Sequence, residues 1–103
     1  MNEIKSLNEF KETIKKDFVM VIAKSHTCTS CQTILGMMER NVPNIDQIDI
    51  YSAYIDDLDE VRGEFLVFSV PTVLIFSEGK ELLRESRYID YNKITRLIDL
   101  YKN

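Results

Sequence analysis

The chain has 103 residues, is 45% hydrophobic and 29% charged, carries a formal net charge of −4, and contains only three Gly and two Pro. That length suits one domain, 1–103, whose core forms without staples, since a chain of this size hides roughly 60–70% of the surface its unfolded form exposes. The acidic balance argues against nucleic acid as a partner, and the sequence has no apolar run of about eighteen residues to span a membrane.

Residues 1–6, Met-Asn-Glu-Ile-Lys-Ser, lack an apolar h-region, so no secretory signal is expected and a cytoplasmic location is. A short extended piece is expected at 2–5. Ser6-Leu7-Asn8-Glu9 fits a capping box, with Ser6 as N-cap and Glu9 reaching back to it. Leu7, Phe10 and Ile14 recur at spacings of three and four and predict an amphipathic helix over 7–16. A strand is expected at 17–24, whose continuous apolar run from Phe18 to Ala23 is rich in β-branched residues, the pattern of a strand covered on both faces.

Next comes Ser25-His26-Thr27-Cys28-Thr29-Ser30-Cys31-Gln32, which holds the only two cysteines of the chain. A helix is expected from about Cys28 to Asn41, buried through Ile34, Leu35 and Met38. Gly36 interrupts it at about 1 kcal/mol relative to Ala and marks a bend; Pro43 ends the region. A thiol at the head of such a helix meets unpaired N–H groups and the positive end of the helix dipole, which favour thiolate over thiol. Thiolate is the form that attacks a disulfide, and a second cysteine one turn on can displace the first from a mixed disulfide.

Other readings of the pair stay open. A structural disulfide closing so small a loop stabilises little. Cys-x-x-Cys is also half of a zinc site, but His26 is the only further strong ligand and lies too close to complete a tetrahedron, so no metal is expected within one chain. A site shared between two chains and a pair of inert buried cysteines remain as alternatives. In a reducing cytosol a lone Cys-x-x-Cys tends to be catalytic.

An extended segment is expected at 44–51, through Ile45, Ile48 and Ile50. Asp56-Asp57-Leu58-Asp59-Glu60 places acid in the first turn of a third helix ending near 64 or 65, favourable against its dipole. Pro71 opens an apolar strand over 72–76; residues 77–80 read as a turn and 81–86 as a returning edge strand. Asp90 caps a last helix whose buried stripe is Ile94, Leu97, Ile98 and Tyr101. Residues 51–55 and Tyr88 and Tyr91 read as half-buried packing, with a contact face as the alternative. The order β-α-β-α-β-α-β-β-α predicts an α/β sandwich on a mixed sheet.

This order, with Cys28-Thr29-Ser30-Cys31 after the second strand and Val70-Pro71-Thr72 before the fourth, resembles the thioredoxin family over nearly the whole chain. The resemblance implies the thioredoxin fold, a central mixed sheet of four to five strands with helices on both faces. It also implies a cis Val70–Pro71 bond lying against the cysteines, and a Val70 backbone offered to an extended substrate as a short strand addition. By the same resemblance Cys28 is the nucleophile and Cys31 the resolving thiol, while Val70, Pro71 and Thr27 contact substrate.

The departures from the family pattern concern tuning. Thr27 stands where the family usually has Trp, Thr29-Ser30 where it has Gly-Pro, and Lys24 where it has a second aromatic. Ile22 takes the place of a buried Asp and Gln47 roughly that of its Lys partner. Arg87 falls near a groove glycine, and Gly36 on a helix-kinking proline. His26, Lys24, Thr29 and Ser30 are the candidates for adjusting the Cys28 pKa, with an exposed, idle loop histidine as the alternative for His26.

The reading implied is a monomeric thiol–disulfide oxidoreductase, a disulfide reductase with no cofactor beyond its own Cys28–Cys31 pair. It acts on a disulfide-containing protein or a small-thiol substrate and is recycled by a dithiol reductase system. The alternatives are a redox-silent binding module on the same fold and a thiolate-based metal or redox sensor.

Overall fold

The computed structural model describes residues 2–102. Five strands form one sheet in the order β1-β3-β2-β4-β5: β1 (Asn2–Ile4), β2 (Val19–Lys24), β3 (Asp49–Tyr54), β4 (Thr72–Ser77) and β5 (Lys80–Ser86). Helices α1 (Leu7–Ile14), α2 (Ile34–Asn41), α3 (Asp59–Phe65) and α4 (Tyr91–Lys102) cover it. Strands β1, β3 and β2 run parallel, and β4 and β5 antiparallel to their neighbours. This is the expected mixed sheet and the thioredoxin fold.

The sheet divides two apolar cores because side chains alternate along a strand. Val19, Val21 and Ala23 of β2 pack with Phe10 and Ile14 of α1 and Val61 of α3. Met20 and Ile22 pack on the other face with Ile34 and Met38 of α2 and Ile94 and Ile98 of α4. Residues 19 to 23 are all 1% exposed or less, which is why the run reads as continuously apolar instead of alternating.

Helix α1 starts at Ser6, whose hydroxyl accepts the Glu9 amide at 3.1 Å. The Glu9 carboxylate accepts the Lys5 amide at 2.7 Å, one residue before the expected partner. At its other end the chain folds back on the β4–β5 hairpin. Glu78 and Gly79 form the two-residue turn with φ of 52° and 85°, the positive pair a tight hairpin requires. Their amides donate to the carbonyls of Lys16 (2.8 Å) and Ile14 (2.7 Å).

Several expected boundaries move. The second helix starts at Ile34, not Cys28, because Ser30–Gln32 form a 3-10 turn first. Thr33 there sends its hydroxyl to the Ser30 carbonyl at 3.1 Å, the local competition that disfavours α-helix at hydroxyl residues. Leu35 is half-buried, and α2 runs through Gly36 without a break. The third strand starts at Asp49, since Ile45–Gln47 form another 3-10 turn. That turn is anchored by Asn44, whose buried amide donates to Thr95 O and Asp99 Oδ1 of α4. The strand then continues to Tyr54, so residues 51–54 are sheet, with Tyr51 and Tyr54 half-buried.

The third helix starts at Asp59, after a 3-10 turn at Ile55–Asp57. Tyr101 is 46% exposed and stacks on Phe18 from the rim, with ring centroids 4.7 Å apart. Tyr88 is 90% exposed, contrary to the half-buried expectation. Among the described residues no helix is long and apolar enough to cross a membrane.

Candidate active site

Register brings the two key loops together. Strand β2 pairs antiparallel with β4 through Ala23↔Thr72. The chain therefore leaves β2 toward Cys28 at the same sheet end where it enters β4 from Pro71. Cys28 and Cys31 are joined by a disulfide. Cys28 is half-buried, whereas Cys31, inside the 3-10 turn, is 3% exposed. The Ser30 hydroxyl lies 3.5 Å from Cys28 Sγ. Thr29 forms no side-chain cap and is exposed, as is Thr27. With α2 starting only at Ile34, Cys28 sits six residues ahead of the helix and not at its head, so the expected dipole contribution is displaced from it.

The Val70–Pro71 peptide is cis. The loop before it is tied down by Thr72, a 1% exposed residue whose hydroxyl donates to Ser69 O at 2.7 Å and lies 3.0 Å from the Ser86 hydroxyl. Pro71 is buried and Val70 half-buried. Each lines a different cavity. One of about 150 Å³ is walled by Pro71 with Ser30, Thr33, Ile34, Met37, Arg87, Ile89 and Tyr91. The other, about 260 Å³, is walled by Val70 with Ser25, Ile55, Asp56, Arg62 and Phe68, the last 65% exposed.

Arg87 has φ of 66°, in the left-handed region that favours glycine, and its amide donates to the Pro71 carbonyl at 2.9 Å. Ile22 is fully buried among apolar neighbours, and Gln47 is exposed at the end of its 3-10 turn.

His26 has partners that no sequence spacing indicates. Its backbone amide donates to Asp56 Oδ2 at 3.1 Å, and its Nε2 lies 2.8 Å from Asp57 Oδ2. Its ring stacks on Tyr54 with centroids 3.9 Å apart, and the Lys24 ammonium sits 4.9 Å from the centroid of that same Tyr54 ring. The hydrogen bond to Asp57 holds the His26 pKa above its ordinary 6.5; partial desolvation opposes this, and the charges of Asp56, Asp57 and Glu3 add to it. Half of the acidic run read as a helix start thus clamps the loop ahead of Cys28. These three residues also bring potential metal-ligand atoms within 4.8 Å of one another. All are exposed and already bonded among themselves, so the clamp accounts for the grouping.

The family model for thioredoxin matches residues 2–102. The thioredoxin-like protein YdfQ of Bacillus subtilis is 29% identical over 99% of this chain and 93% of its own length. Thioredoxin-1 of Saccharomyces cerevisiae is 31% identical over 82% of each chain. The solved structure of Plasmodium falciparum thioredoxin superposes with a TM-score of 0.79 over 98% of this chain and 99% of that one, at 20% identity, a likeness of fold. A bonded Cys-x-x-Cys pair at the sheet end shared with a Val-Pro-Thr loop, together with these relatives, places the chain in the thioredoxin family.

Proposed function

We propose that the protein is a disulfide reductase in which Cys28 is the nucleophile and Cys31 the resolving thiol. The observation that carries this reading is the unequal exposure of the two bonded cysteines, Cys28 half-open to an incoming disulfide and Cys31 at 3%. In the reduced protein the Cys28 thiolate attacks one sulfur of the substrate disulfide, that S–S bond breaks, and the departing thiolate takes a proton. Cys31 then attacks Cys28 Sγ, releasing the second substrate thiol and leaving the Cys28–Cys31 disulfide. Two electrons and two protons pass from the dithiol to the substrate, and a dithiol reductase system restores the protein.

The surroundings support further roles within this reading. The Ser30 hydroxyl at 3.5 Å donates to the Cys28 thiolate, and hydrogen bonding to the charged form lowers a thiol pKa. With Ile22 filling the place of a buried carboxylate, the Cys31 proton leaves to water or to the thiolate departing from substrate. Val70, half-exposed before Pro71, offers its backbone for strand addition on a disulfide-bearing segment. Thr27, exposed beside Cys28, borders the same entrance.

The test combines a redox titration with trapping. In graded dithiothreitol or glutathione, thiol labelling and mass spectrometry should show a reversible two-electron transition within the roughly −270 to −120 mV range of this fold. A transition near the reducing end supports the reductase direction. Cys31→Ser should accumulate a mixed disulfide on Cys28 with a disulfide substrate, and Cys28→Ser should not. No reversible transition, with a partner still bound by the double Cys→Ser variant, replaces the enzyme by a binding module.

A further inference from the structure

We infer that Arg87, with Arg40, makes the small cavity beside Pro71 a carboxylate-selective subsite. The protein would thereby prefer disulfides flanked by an acidic group. This rests on the oxidoreductase reading and concerns its choice of substrate.

Three observations converge on this cavity. Its walls contain a guanidinium but no carboxylate, in a chain whose net charge is −4. Among the described residues neither Arg87 nor Arg40 has an acidic partner within ion-pairing distance, whereas Arg62 and Arg84 do. Arg40, not itself a wall residue, comes up to the cavity from α2. One of its guanidinium nitrogens lies 2.9 Å from the sulfur of Met37, a wall residue, and its charge pulls down the pKa of Tyr91, another wall residue, against the larger upward push of burial.

The backbone adds to the case. Arg87 is held at φ 66° by the hydrogen bond its backbone N–H donates to Pro71 O, a conformation glycine adopts freely and a residue with a Cβ adopts under strain. The same bond fixes the root of a five-donor side chain beside the substrate-facing proline. Guanidinium geometry matches carboxylate in a bidentate pair. The volume also selects the ligand. About 150 Å³ falls below the roughly 300–1,000 Å³ of sites that hold whole small molecules, and suits one side chain of a segment anchored at the disulfide. That carboxylate comes either from Asp or Glu near the substrate cysteine or from a glutathionyl group.

The experiment is single-turnover oxidation of the pre-reduced protein at low ionic strength. The probes are peptide disulfides identical except for Glu, Gln or Lys beside the cysteine, and glutathione disulfide against its ethyl ester. Glu should outpace Gln by roughly fivefold, the upper range for an exposed ion pair, with Lys slower still and the differences shrinking at 1 M salt. Arg87→Gly, which suits the left-handed backbone, should bring the Glu-to-Gln ratio toward one, and Arg87→Lys should retain part of it. A peptide preference assigns the carboxylate to protein substrates; a preference confined to glutathione disulfide over its ester assigns it to small thiols. Equal rates across both series in the wild type, or a ratio unchanged in Arg87→Gly, overturn the proposal. If no disulfide oxidises the wild type, the oxidoreductase reading itself falls.

Discussion

From Val19 to Ala23 and from Val73 to Phe76 every side chain is buried, and each faces whichever helix pair its place in the alternation dictates. A few residues beyond, around Cys28 and Arg87, exposure follows no period, and the partners that fix His26 lie 30 and 31 residues away. The frame is specified by short-range pattern, each residue repeating what its neighbours state. The site is specified by single long-range contacts, each of which stands alone. Substitutions in the frame should therefore act on stability, and those in the loops on selectivity and titration.

The largest effect is expected at Ile22. Ile22→Asp would restore the carboxylate implied by the family resemblance, but into a fully buried apolar cluster with no cation assigned to it. An unpaired buried acid should remove at least about 3 kcal/mol at neutral pH, read from urea unfolding. A loss under about 1 kcal/mol would mean that this part of the frame is as permissive as the loops. Next comes Ser6→Ala, which deletes a local feature, the hydroxyl accepting the Glu9 amide at 3.1 Å. About 1 kcal/mol should be lost, with α1 amides exchanging faster than those of α4.

How much of the molecule could be read in advance follows the same division. The apolar run at 18–23, the Ser6 cap and the Asp90 cap, whose carboxylate accepts the Lys93 amide at 3.1 Å, all have their causes within four residues. The start of α2 lies six residues past its expected place because the Thr33 hydroxyl takes the Ser30 carbonyl, a local competition that periodicity alone does not register. A turn at Ile45–Gln47 takes the place of the first part of the extended segment expected at 44–51, because Asn44 finds its partners in α4, more than fifty positions on. Within the site, the cysteines announced themselves by spacing. Asp56, Asp57 and Tyr54 carried no signal, since an acidic run before a helix has a sufficient local explanation. Arg87 drew notice only as a departure from the family glycine; its φ of 66° supplies the physical meaning.

Two smaller effects sharpen the comparison. Leu66 ends α3 at φ 55° and is 64% exposed, so Leu66→Gly relieves left-handed strain with little burial lost. A gain of up to about 1 kcal/mol is expected from thermal or urea unfolding; a loss would show that the exposed side chain packs in solution. The smallest effect concerns His26. Its pKa in the folded protein is raised above 6.5, chiefly by the Asp57 hydrogen bond. The stability it contributes is therefore fully present below about 6.5 and fades as pH rises through the higher folded value. Asp57→Asn should lower the His26 titration midpoint seen by NMR and flatten that slope. An unmoved midpoint would remove Asp57 as the cause.

The turn amides of Glu78 and Gly79, exposed by position yet donating to the Lys16 and Ile14 carbonyls, have a consequence for how the protein opens. Helix α1 cannot fray from its carboxyl end without releasing the tip of the β4–β5 hairpin, and the hairpin tip cannot breathe without uncapping the helix. The two elements, 60 or so positions apart in the chain, should share one opening event in native-state hydrogen exchange. Chemistry at the opposite end of the sheet, which the Cys28 and Pro71 loops share, would then proceed on a platform whose far edge is latched.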